Sequence, residues 1–97
     1  MTVVVSPALS AVARALNLPE ADLFQQAARA LLERRLREVK AEIFRLCGQY
    51  GVSSVAEMEA RYREDTLEEG ESWRDFQQLD HLEFERDQLS QLMENLK

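Results

Sequence analysis

Apolar residues recur with helical spacing along most of this chain, and a few sharp signals mark where the rhythm stops. The longest periodic stretch is residues 19–50, which has no Pro after Pro19 and only Gly48 to weaken its last turn. At 1.5 Å per residue it predicts a rod roughly 48 Å long. Phe24, Ala28, Leu32 and Leu36 are spaced by four, whereas Leu36, Val39, Ile43, Leu46 and Tyr50 alternate by three and four. The second rhythm is a heptad seam, the pattern of two helices packed at a shallow angle. Leu23, Ala27 and Leu31 widen the stripe at the first end, which predicts two packing environments along one helix. A compact domain of this length has a radius of gyration of only about 13 Å. The greasy flank of the rod therefore needs covering, by the rest of the chain, a second copy or another protein.

Shorter elements flank the rod. Residues 2–5 are Thr, Val, Val and Val, a β-branched run that predicts a short strand needing a partner edge. Ser6-Pro7 reads as an N-cap followed by Pro at the first helical position. Leu9, Val12, Ala13 and Leu16 then give a short helix one apolar stripe, ended by Asn17-Leu18-Pro19. Gly51 closes the rod. Ser54 and Glu57 form a capping box for a helix whose face is Val55, Met58 and Tyr62. Residues 66–71 read as an acidic linker around Gly70, and Ser72 as the cap of a last helix over residues 73–96. Leu79, Leu82, Leu89, Met93 and Leu96 keep its heptad frame, with Arg86 at the one polar seam position and Trp73 and Phe76 at its start. The expected shape is a hairpin, the last helix running back antiparallel along the second half of the rod.

Charge divides the chain. Residues 1–50 carry seven cations against five anions, a net of +2, and residues 51–97 carry five against thirteen, a net of −8. An acidic half repels phosphates and favours a basic protein partner, or simply a solvated surface. Single Cys47 excludes an internal disulfide and suits a reducing cytoplasm. No apolar run approaches a membrane span, and no leader segment is expected at Val3-Val4-Val5.

No residue set signals catalysis or a cofactor. His81 and Glu85 lie one helical turn apart, but a metal site needs three or four ligands and no further His or Cys is near. Cys47 adjoins the seam and reads as a small buried apolar residue. Arg34, Arg35, Arg37 and Lys40 form the one basic cluster, either a solvated face balanced by Glu33 and Glu38 or a contact with nucleic acid or an acidic chain. Arg86 reads either as a partner-specifying seam residue or as a side chain snorkelling from a loose seam.

The order strand, short helix, turn and longer helix over residues 2–36 resembles a ribbon-helix-helix domain. Thr2-Val3-Val4-Val5-Ser6, then Pro7-Ala8-Leu9-Ser10-Ala11-Val12-Ala13-Arg14-Ala15-Leu16, and later Ala27-Ala28-Arg29-Ala30-Leu31-Leu32-Glu33-Arg34-Arg35-Leu36 carry the likeness. Such domains are typical of small prokaryotic antitoxins, whose acidic or helical extension wraps a basic toxin. The resemblance implies strands paired between two chains that read DNA. Here the strand has no Arg, Lys, Asn or Gln to reach base edges, which leaves DNA recognition doubtful.

The sequence thus predicts a mainly α fold, a long helical hairpin or bundle with a short N-terminal strand, elongated and oligomeric. Residues 1–36 would be a ribbon-helix-helix-like dimerisation segment built on Val3, Val5, Leu9, Val12, Phe24, Leu32 and Leu36. Residues 37–97, continuous with the rod, would offer Tyr62, Trp73, Phe76, Leu79 and Arg86 to a partner. The expected role is a cytoplasmic, non-enzymatic, homo-oligomeric antitoxin-like protein that neutralises a basic toxin, with no metal, cofactor or membrane. The alternatives are a purely structural homo-oligomeric bundle or a weak DNA-binding regulator.

Overall fold

The computed structural model describes residues 6–96, which form four helices: α1 (Pro7–Ala15), α2 (Glu20–Tyr50), α3 (Val55–Arg63) and α4 (Glu69–Asn95). The expected strand over residues 2–5, with Val3 and Val5, lies outside the described residues. The molecule is mainly helical and elongated, 60 × 21 × 18 Å, with a radius of gyration of 19.5 Å.

Local signals set most boundaries. Ser6 caps α1 by accepting the Leu9 N–H at 3.3 Å, with Pro7 just inside the helix. Asn17 takes the left-handed conformation, φ 56°, that releases the chain towards Pro19, the residue preceding α2. At the far end of α2 Gly51 has φ 64°, a conformation open to glycine at little steric cost. No cation stands in the last turn of α2. Instead the Arg61 guanidinium reaches across from α3 to the Tyr50 and Gly51 carbonyls, at 3.1 and 2.7 Å. A cation there satisfies terminal acceptors at the negative end of the helix dipole.

Two expected caps differ in detail. Ser54 does accept the Glu57 N–H, at 3.1 Å, but the Glu57 carboxylate turns to Ser53, taking its N–H at 2.9 Å and its hydroxyl at 2.5 Å. Those two bonds hold the Glu57 carboxyl below its usual range. The reciprocal half of the box is thus shifted by one residue, with Ser53 supplying both its N–H and its hydroxyl to the carboxylate. Ser72, expected as the cap of the last helix, is buried inside it. The helix begins earlier, at Glu69, so the linker shrinks to residues 66–68 and Glu69 and Glu71 occupy the first turn. Carboxylates are favourable there without a serine cap. The Ser72 hydroxyl donates back to the Glu68 carbonyl and, its hydrogen used, accepts from Tyr62 Oη at 2.6 Å.

The core follows from the two seams. Val39, Ile43, Leu46 and Cys47 from α2 meet Leu79, Leu82 and Leu89 from α4, and Val52, Val55 and Met58 close the end. Leu46, Met58 and Leu79 are fully buried. α4 runs antiparallel to α2 over almost its whole length. Tyr50 Oη donates to Asp75 near one end of the hairpin, Arg35 pairs with Glu85 at 2.8 Å midway, and the Leu96 carbonyl accepts from Gln25 at 3.0 Å and Arg29 at 3.4 Å near the other. α3 lies antiparallel against the early part of α4, its Val55 N–H donating to Glu83 at 2.9 Å and its Tyr62 reaching Ser72.

Candidate interaction surfaces

Two of the surfaces left after the hairpin has closed its core hold residues expected from the sequence to make contacts. The first is on α1. This helix of nine residues is joined to α2 through buried Ala13, 2% exposed, and through Ser10 Oγ donating to Glu20 at 2.8 Å. Leu9 and Val12 on α1 and Leu16 at its cap, 59% exposed, leave an apolar stripe in solvent, and Leu31 on α2 is 64% exposed. A helix this short has little stability of its own, so an uncovered stripe is costly in water. Among the other residues expected at a dimer interface, Phe24 is half-buried, while Leu32 and Leu36 pack on the hairpin core and serve this chain's own fold.

The second surface lies where α3 meets α4. Trp73 and Phe76 stack with centroids 5.2 Å apart, Tyr62 meets Phe76 edge-on at 5.5 Å, and Tyr62 stands 6.3 Å from Trp73. Trp73 is 45% exposed, while Tyr62 and Phe76 are half-buried. These three expected partner residues therefore stand together. Leu79 does not join them. It is buried against α2 and α3, so its expected role at a partner surface is replaced by one in the core. The reason is register: Leu79 shares the seam of Leu82 and Leu89, which the hairpin itself covers. Arg86 is half-buried in that seam and turns its guanidinium outward to Asp87 at 3.0 Å.

Two members of the basic cluster on α2, Arg34 and Arg35, are spent on intramolecular pairs, whereas Arg37 and Lys40 enter none among the described residues. Arg34 and Arg35 approach Glu38 at 3.2 and 3.6 Å, and Arg35 also takes Glu85. Glu85 is thus committed to Arg35, His81 is exposed, and no group of three or more His, Cys, Asp or Glu among the described residues could hold a metal ion. Cys47 is buried, and burial, with Glu83 and Glu57 nearby, pushes its thiol up. That shift disfavours the thiolate, the nucleophilic form of the side chain. The Tyr50 hydroxyl is pushed up to about 12, first by its bond to Asp75 and then by burial. Among the described residues no helix is long and apolar enough to cross a membrane.

Phe44, 80% exposed, and Phe84 were not singled out from the sequence. Phe44 borders an open groove of about 450 Å³ beside Ile43, Cys47 and Val52. Their signal was available, since each falls off the seam of its own helix, Phe44 in α2 and Phe84 in α4.

No curated protein and no solved structure matches the chain. The family model described as "Uncharacterized protein MJ0235 family" matches residues 1–97, and the chain belongs to that family.

Proposed function

We propose that this chain is a non-catalytic interaction module that self-associates through its N-terminal helices and presents an acidic helical hairpin to a basic protein, in the manner of an antitoxin. The observation that carries the reading is the stripe of Leu9, Val12 and Leu16, left exposed among the described residues beside a hairpin whose own core is closed. Burying three such side chains is worth several kcal/mol at about 25 cal/mol per Å², so a second copy of α1 is a natural cover. The acidic half supports the second part of the reading, because a net of −8 over residues 51–97 steers a cationic partner and repels nucleic acid. The buried free thiol of Cys47 is compatible with a cytoplasmic setting.

Sedimentation of the full chain at micromolar concentration tests the first part. We expect a dimer or larger species that Leu16→Glu converts to a monomer. Affinity purification of the tagged chain from its native host tests the second, with a small basic protein expected at low salt and released at high salt. A well-folded monomer indifferent to dilution overturns self-association. Recovery of the chain with only itself at every salt concentration replaces the antitoxin reading by the structural homo-oligomer.

A further inference from the structure

The groove between α3 and α4 combines two features that attract the same ligand. One wall is the aromatic group of Tyr62, Trp73 and Phe76, bordering an open groove of about 450 Å³. Its rim carries Glu59, Glu69 and Asp80, with Arg63 the single opposing cation. Carboxylates nearby are mostly committed to the fold: Glu83 accepts the Val55 N–H, Glu57 holds Ser53, and Glu85 pairs with Arg35. Glu59, Glu69 and Asp80 enter no ion pair or side-chain hydrogen bond among the described residues. Glu69 favours the start of α4 through the helix dipole. Glu59 and Asp80 sit beyond the first turns of their helices, where that benefit is gone, and aspartate is a poor helix former.

Aromatic faces carry negative potential and attract cations, most strongly at tryptophan. A guanidinium suits this groove better than an ammonium, because its plane can stack on a flat ring while its edge offers several N–H donors to carboxylates. We propose that the α3–α4 groove docks an arginine-rich segment of a protein partner, one guanidinium stacking on Trp73 with Glu59, Glu69 and Asp80 taking its donors. The proposal rests on the reading of the acidic hairpin as the partner-binding half, and it assigns to that half a site and a side-chain chemistry.

Trp73 is the only tryptophan in the chain, so its emission reports on this groove directly. Titration of the full chain with a hexa-arginine peptide, followed by fluorescence and by calorimetry, should give one dissociation constant by both readouts. Binding should weaken as salt rises, and a hexa-lysine peptide should bind several-fold less tightly. The triple variant E59Q/E69Q/D80N, with its helicity checked by circular dichroism, should lose roughly tenfold or more in affinity. Trp73→Leu, followed by calorimetry alone, should also weaken binding. Heat of binding without a change in Trp73 emission, or an unchanged constant in the triple variant, overturns the groove and leaves an acidic surface acting elsewhere. Equal affinity for the two peptides overturns guanidinium stacking. Absence of both heat and emission change overturns the groove and the basic-partner reading together.

Discussion

The two ends of this molecule solve the same problem differently. In the hairpin and α3, ten apolar side chains share one buried cluster, from Val39 on α2 to Leu89 on α4. Around α1 only Ala13 is buried, and Leu9, Val12 and Leu16 stay in contact with water. The apolar stripe of α1 is sharper than those of the hairpin helices, so a lack of hydrophobic patterning is not what leaves it exposed. Reach is. α4 extends far enough for Leu96 to meet Gln25 and Arg29, but α1 lies before the start of α2 and, among the described residues, finds no third helix there. The hairpin is thus closed within the described residues, whereas α1 offers a face for an outside occupant.

This contrast can be broken by substitution. Leu79→Ala should have the largest effect, a loss of about 3 kcal/mol or more in urea unfolding, because a cavity opens where three helices meet. A loss below about 1 kcal/mol would mean that the hairpin core is not the stabilising centre. Arg61→Ala should cost about 1–2 kcal/mol, since it strips the Tyr50 and Gly51 carbonyls of a charged donor at a partly exposed site. Hydrogen exchange should then quicken at the end of α2 before it does elsewhere.

Tyr50→Phe should cost about 1 kcal/mol at neutral pH, by loss of the bond to Asp75, and should also change the alkaline limb. The fold holds the Tyr50 proton up to about 12, above the ordinary tyrosine value of about 10. The native state therefore binds this proton more tightly than the unfolded chain does. That contribution is whole below pH about 10 and is lost as pH rises through about 12. Phenolate absorbance of the wild type minus that of the variant should show a single step near 12.

Leu16→Glu should have the smallest effect on subunit stability, under about 0.5 kcal/mol by chemical denaturation at high dilution, because its side chain is mostly in water. Its effect should fall on assembly, with a shift towards the monomer in sedimentation. If it instead destabilises the isolated subunit as much as Leu79→Ala, α1 belongs to the core and the contrast between the two ends disappears.

Much of the architecture was legible from residue order because its causes act within a turn or two. Ser6-Pro7, Asn17 and Gly51 bias their own backbone torsions, and a three-four rhythm places Val39, Ile43 and Leu46 on one face whatever covers it. The candidate site was legible only in part. Trp73, Phe76 and Tyr62 were named for their size, yet their meeting in one groove depends on α3 folding back along α4. Ser72 shows the limit clearly. Its type suits a cap, but acidic first-turn residues already serve the helix start, and the fold uses its hydroxyl to pair the half-buried Tyr62.

Sequence alone therefore determined which segments are helical, where the rod ends, and which stripes are apolar, since each follows from torsional preference or periodicity over neighbouring residues. Tertiary structure decided who covers whom. It sent Leu79 inward and left Trp73 at the surface, brought Arg61 to the end of α2, committed Glu85 to Arg35, and left Glu59, Glu69 and Asp80 without side-chain partners among the described residues. Those outcomes depend on how far α4 and α3 run along their neighbours, a distance set by the whole packed assembly of helices rather than by any local run of residues.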